Sequence, residues 1–306
     1  MKILISPSSF GQISQEPLEL LTSNGFELVN NPFGRKLTED EVITLGANCV
    51  GIVAGVEPLT ERVMKAIPTL KCISRVGVGI DNVDLESARI LGINVVNTPD
   101  GPTQAVAELT LGMVLALLRK IPQAHYAMKN RQWKKFVGNL LQNKTVGIIG
   151  MGRIGKKVAG MFRSLGNPVI GYELFPDVVW ADDHNVGYVE LHDLLQKADI
   201  ISLHVSANGL AGSVIGIEEF SLIKKGSLLI NLSRGGIVDE HALHTALLKG
   251  DIAGAAIDVF SEEPYSGPLC DMENVILTPH LGSYAEEGKL QMENEAVKNL
   301  LDELLK

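Results

Sequence analysis

From residue 145 onward the chain repeats one pattern six times: a short, almost uninterrupted apolar run, then a longer amphipathic stretch. The runs are TVGIIG (145–150), PVIGYE (168–173), ADIISLHV (198–205), SLLINLS (227–233), IAGAAIDV (252–259) and NVILTP (274–279). Strands apolar on both faces belong in a sheet covered on both sides, and parallel neighbours need a crossover, usually a helix, between them. Stretches such as Ile154 to Ser164 and Asp239 to Lys249 supply such helices. The expected product is a doubly wound α/β domain of the kind that binds dinucleotides.

The first third carries a smaller version of the same alternation, with strand candidates KILIS (2–6), FELV (26–29), GIVAG (51–55), CISR (72–75) and NVVNT (94–98). At 306 residues the chain is long for one core, which favours two lobes. The expected partition is 1–99 with 284–306, and 100–283. TQAVAELTLGMVLALLRK (103–120) is apolar over most of its circumference and reads as a helix buried between lobes or against a second subunit. Glu108 interrupts it and argues against a membrane span. The last stretch, 285–306, reads as a capped amphipathic helix returning to the first lobe, with Leu290, Ala296, Val297, Leu300, Leu301 and Leu304 on one side.

Lysine and arginine number 27 against 36 acidic residues, a formal charge of -9 spread along the chain. A nucleic-acid partner needs a basic face and is not expected. The one dense basic run, Lys129, Arg131, Lys134 and Lys135 around Trp133, reads as solvated surface. Cys49, Cys72 and Cys270 are far apart without metal-ligand spacing, which fits inert free thiols in a reducing compartment and no metal. The N-terminus is too short in its apolar run for a signal segment, so a cytoplasmic protein is expected.

Gly150-Met151-Gly152-Arg153-Ile154-Gly155 follows the first run of the second series and opens a helix. In such a G-x-G-x-x-G the first glycine turns tightly, the second admits a pyrophosphate to the backbone, and the third lets helix and strand approach. An acid about 20 positions on completes the pattern by binding the adenosine ribose. Glu173 stands there, and residues 172–180 hold no lysine or arginine for a 2′-phosphate. NAD is therefore expected rather than NADP.

Three further segments end strands on the side where ligands bind in such sheets: NLSRGGIVDE with Arg234, AAIDVFSEEP with Asp258 and Glu263, and TPHLGSY with His280. Hydride transfer to a carbonyl creates an alkoxide that needs a proton, which His280 is suited to give. A carboxylate such as Glu263 on the other ring nitrogen would fix the tautomer. Arg234 offers a planar fork that matches a substrate carboxylate. Singly, each has a bland alternative: a structural ion pair for Arg234, a surface acid for Glu263, a satisfied loop imidazole for His280.

Taken in order, RVGVGIDNVD (75–84), NTPDGPTQAVAELTLGMVLALLR (97–119), NKTVGIIGMGRIG (143–155), NLSRGGIVDE (231–240), DVFSEEP (258–264) and TPHLGS (278–283) resemble the D-isomer-specific 2-hydroxyacid dehydrogenases, most closely their phosphoglycerate-dehydrogenase-like branch. The resemblance implies an NAD-binding Rossmann domain, a smaller flavodoxin-like substrate domain, and Arg234, Glu263 and His280 as the catalytic set, with His280 the proton donor in reduction. It places Gly150, Gly152, Arg153, Ile154 and Gly155 at the pyrophosphate, Glu173 at the ribose, Leu232, Ser233 and Arg234 on the cofactor, Asp258 near the nicotinamide carboxamide, and His280, Gly282 and Ser283 beside them. Backbone N–H groups of Val78 and Gly79 would bind the substrate carboxylate beside Arg234. A homodimer through the helix at 103–120 is implied as well.

The chain departs from the branch at Ser206 and Asn208, where proline and threonine are usual, and in AGVEPLT (54–60), where small residues replace a phosphate-binding arginine and serine. It ends at Lys306, so serine feedback through a C-terminal domain is not expected. For a phosphorylated substrate Arg35 and Lys36, or Arg75, would have to supply the missing cation; Arg35 and Lys36 otherwise belong to a solvated loop. 3-Phosphoglycerate and phosphohydroxypyruvate are the expected pair, with glyoxylate, hydroxypyruvate or pyruvate as the alternative. An NAD-sensing regulator is disfavoured by the intact catalytic set, and formate dehydrogenase by the absence of glutamine at Glu263.

Overall fold

A computed structural model describes residues 1–206 and 212–306, so Asn208 lies outside the described residues. The chain divides into two compact units, Met1–Pro102 with Ser283–Lys306, and Thr103–Gly282.

The first unit contains β1 (Lys2–Ile5), β2 (Glu27–Asn30), β3 (Cys49–Ala54), β4 (Cys72–Arg75) and β5 (Asn94–Asn97). They pair in parallel in the order β2-β1-β3-β4-β5. The central strands are buried because they are apolar on both faces: Ile3, Ile5, Val53 and Cys72 face one core, and Leu4, Ile52, Ala54 and Ile73 the other. The helix Glu286–Leu304 closes the first of these cores with Val297, Leu300 and Leu301. It approaches so closely that a Cβ on Gly51 would stand 3.0 Å from Leu300 Cδ1, and Ser74 Oγ donates to Ala296 O at 2.7 Å. This helix is not capped by a side chain as expected: Ala285 occupies its N-cap.

The second unit contains β6 (Val146–Ile149), β7 (Val169–Tyr172), β8 (Gly187–Tyr188), β9 (Ile200–Leu203), β10 (Ser227–Asn231), β11 (Ile252–Ile257) and β12 (Val275–Leu277). All neighbours are parallel, in the order β12-β11-β10-β9-β6-β7-β8. The connection from β6 runs to β7 on one side and the sheet resumes with β9 on the other, so the order reverses around β6. That reversal opens a crevice at the carboxyl ends of β6 and β9, where the glycine loop begins. The six apolar runs all became strands; the two-residue β8 has no run to announce it.

The helix Gly101–Arg119 is buried on one side only within the chain. Val106, Ala107, Met113, Val114, Leu117 and Leu118 pack with Ile148, Phe162 and Ile230, while Gln104, Glu108, Gly112 and Leu115 form an exposed stripe at near-helical spacing. Its length and hydropathy alone would suit a membrane span, yet half of it is buried in protein. Cys49 and Cys72 are buried, and burial pushes the Cys72 thiol up to about 12. Cys270, by contrast, is exposed.

Candidate active site

Gly150 leaves β6 at φ +93, a conformation open to glycine, and a Cβ there would stand 2.6 Å from His204 O. A Cβ on Gly155 would overlap the carbonyl oxygen of Gly150, so the first turn of the helix Arg153–Ser164 lies against the loop only because that position is bare. Gly152, its N-cap, faces open space, and the N–H groups of Gly152 and Ile154 meet no acceptor among the described residues. Unpaired donors at a helix N-terminus under an uncovered glycine are the cradle a pyrophosphate needs.

Glu173 sits at the end of β7 beside this cradle. Its Oε2 accepts from Met151 N–H at 2.8 Å and its Oε1 from Leu174 N–H at 2.8 Å. A carboxylate has about four acceptor sites, so these two bonds fix its orientation and leave capacity for ribose hydroxyls. The residues present therefore fit NAD. Leu232 is buried in the core, and Ser233 Oγ donates to Asn231 Oδ1 at 2.6 Å. His204, beyond β9, shares a 2.8 Å hydrogen bond with Ser202 Oγ, and burial pushes its pKa down to about 3.

The chemistry-bearing groups are built by three neighbouring strand ends. After β10, Asn231 Nδ2 donates to Arg234 O at 3.2 Å and Arg234 Nη1 donates to Ser233 O at 2.7 Å, shaping the turn that carries the guanidinium. A Cβ on Gly235 would overlap the backbone of Phe260, so the Arg234 turn and the loop after β11 touch main chain to main chain. Phe260 N–H donates to Glu263 Oε1 at 3.1 Å, and Glu263 Oε2 receives His280 Nδ1 at 3.0 Å. Because a carboxylate only accepts, Nδ1 is the protonated nitrogen, and Nε2 has no partner among the described residues. Both side chains are open to solvent, 48% for His280 and 39% for Glu263.

His280 itself has φ +56, an uncommon conformation for a side-chain-bearing residue. What holds it there is Asp258. Its Oδ1 accepts from Thr278 Oγ1 at 2.5 Å and Leu281 N–H at 2.7 Å, its Oδ2 from Gly282 N–H at 2.8 Å, and its carbonyl from His280 N–H at 2.9 Å. Asp258 is fully buried, and its carboxylate turns to the His280 loop. Its part in the site is to shape the loop. Gly282 belongs to the same loop, whereas Ser283 begins the return segment of the first unit.

In the first unit, the N–H groups of Val78 and Gly79 meet no acceptor among the described residues, while Asn97 Nδ2 donates to Val78 O at 2.7 Å and Gly77 N–H to Thr98 Oγ1 at 2.6 Å. The loop is thus fixed with two donors left over, suited to an anion. Arg75 lies folded beneath it, its guanidinium filling the space beside Gly77. Arg35, one of the cations the sequence offers to a phosphorylated substrate, pairs through both arms with Glu41, at 2.8 and 2.7 Å, and Glu41 also accepts from Thr38 N–H. The Arg35 guanidinium holds Glu41 down to about 2. Lys36 is exposed, with no side-chain partner among the described residues.

Comparison with known proteins agrees with this geometry. Residues 111–282 match the D-isomer specific 2-hydroxyacid dehydrogenase, NAD binding domain. D-3-phosphoglycerate dehydrogenase of Pongo abelii is 40% identical over 290 residues, 93% of this chain and 54% of the relative. The enzyme of that name from Methanocaldococcus jannaschii is 41% identical over 258 residues, 83% and 49%. The chain spans about half the length of these relatives. Among solved structures, the TT0316 protein of Thermus thermophilus superposes with a TM-score of 0.91 at 32% identity, covering 100% of this chain and 97% of the other. With the glycine loop, Glu173, and the Arg234, Glu263 and His280 loops in place, the chain belongs to the D-isomer specific 2-hydroxyacid dehydrogenases and carries their NAD-binding domain.

Proposed function

We propose that the protein is an NAD-dependent oxidoreductase interconverting a small D-2-hydroxy acid and its 2-keto acid, with His280 as the proton carrier. The observation that carries this reading is the 3.0 Å pairing of His280 Nδ1 with Glu263 in a unit whose glycine loop suits a dinucleotide. Bound NAD supplies or takes up a hydride at the substrate carbon. His280 gives the matching proton to the carbonyl oxygen from Nε2 in reduction and removes it in oxidation. Glu263 keeps the ring in the tautomer and orientation that leave Nε2 for this task. The Arg234 fork binds the carboxylate and draws charge from the adjacent carbonyl, and the Val78 and Gly79 amides are donors of the same kind.

The favoured substrate pair is 3-phosphoglycerate and phosphohydroxypyruvate, supported by relatives of that name at about 40% identity. A second reading, an unphosphorylated acid such as glyoxylate, hydroxypyruvate or pyruvate, is supported by Arg35, whose charge Glu41 neutralises. Following NADH oxidation against 2-keto acids with and without phosphate decides between them. His280→Ala loses turnover by orders of magnitude while NADH binding persists; preserved turnover overturns the assignment. Homodimer formation through the helix at 103–120 is proposed as well, supported by its exposed stripe of Gln104, Glu108, Gly112 and Leu115.

A further inference from the structure

Residues 172–180 contain no lysine or arginine, yet a cation reaches them. Lys156, on the first turn of the helix Arg153–Ser164, places Nζ 2.5 Å from Asp177 Oδ2 and 5.2 Å from the centre of the Trp180 ring. Asp177 is itself fixed: its Oδ1 accepts from Trp180 N–H at 3.1 Å and caps the helix Val178–His184. These bonds hold its carboxyl below the usual range, the Lys156 bond most of all. Lys156 also lines a groove of about 450 Å³ with Arg153, Lys157, Trp180 and His184, so the surface around the pair is basic.

A 2′-phosphate on the adenosine ribose needs a compact positive charge close to the acid that would otherwise bind the 2′-hydroxyl, and lysine supplies one. Three residues separate that acid, Glu173, from Asp177, and Lys156 lies one helical turn beyond the Arg153 end of the glycine loop. A lysine held by a carboxylate at 2.5 Å offers little net charge to a third group. We infer that the Asp177–Lys156 pair is a second determinant of cofactor choice: Glu173 repels a 2′-phosphate, and Asp177 withholds the cation that would receive one. The inference rests on the assignment of the glycine loop to NAD.

Calorimetric titration of the full chain with NADH and with NADPH tests it through affinity, without turnover. Glu173→Ser is compared with Glu173→Ser plus Asp177→Asn, asparagine being an equally good helix cap, and with both plus Lys156→Met. Freeing Lys156 tightens NADPH on the order of tenfold, one charge-assisted hydrogen bond to phosphate, and moves NADH by less than about twofold. Adding Lys156→Met abolishes the gain. Equal tightening of both nucleotides, no tightening of NADPH, or a gain that survives Lys156→Met overturns the inference. Failure of the unaltered chain to bind either nucleotide overturns the NAD assignment beneath it instead.

Discussion

Asp258→Asn separates two roles for a buried carboxylate, because asparagine keeps the shape and removes one acceptor. Asp258 accepts three hydrogen bonds through its side chain, two on Oδ1 and one on Oδ2. With Asn the two bonds on Oδ1 persist as neutral ones, each weaker by about 1 kcal/mol, while Nδ2 confronts Gly282 N–H and leaves buried donors unpaired, at about 1–3 kcal/mol. The sum, about 3–5 kcal/mol, is a large part of an ordinary domain's stability. Urea denaturation with an unchanged slope reads that loss directly. The His280 loop also loosens, and a displacement of about 1 Å at the proton carrier lowers kcat by roughly a hundredfold. A variant of unaltered stability that has lost only NADH affinity refutes this reasoning, since it puts Asp258 on the cofactor and not under the loop.

Gly155→Ala drives a methyl group into the Gly150 carbonyl, so the helix must retreat from the strand; NADH binding measured by calorimetry weakens by about tenfold or more, and unchanged affinity shows that the loop absorbs the shift. Gly235→Ala pushes the Arg234 turn off the Phe260 main chain, and the expected signature is a fall in kcat with NADH affinity retained; a loss confined to NADH affinity contradicts it. His204 is neutral in the fold, its pKa pushed down from 6.5 to about 3, so below 6.5 the unfolded chain takes up a proton the folded chain refuses. Its stability contribution is whole above about pH 6.5 and falls by about 1.4 kcal/mol per unit as pH drops toward 3. His204→Gln should flatten that acid limb in a denaturation series, and an identical slope in the variant excludes His204 as its source.

Elements whose identity rests on a local period were legible, and those that rest on a side chain's distant partner were not. The apolar runs at 145–150 and 227–233 announced strands because burial on both faces forbids polar residues there. Gly187–Tyr188 pairs with Ile170 and Gly171 at the sheet edge, where two residues need no apolar run. Arg35 looked free, yet its partner was readable: Thr38 and Glu41 stand at capping-box spacing, and an acid fixed there is within reach of a guanidinium six positions earlier. Lys156 was missed because its effect crosses 21 positions, from one helix to the cap of the next.

The same distinction explains how the proposed catalytic set holds together. Arg234, Glu263 and His280 lie after three different strands, and no sequence window contains the contacts that join them. Those contacts run mostly through main chain: Gly235 against Phe260, Phe260 N–H to Glu263, His280 N–H to Asp258. Only the His280 to Glu263 bond joins two of these side chains directly among the described residues. A substitution at Gly235 or Asp258 therefore displaces a loop and every group on it, whereas Glu263→Gln disturbs one ring nitrogen while Phe260 N–H keeps an acceptor. Pairs of variants along the main-chain route should then be strongly non-additive, each having already moved what the other would move.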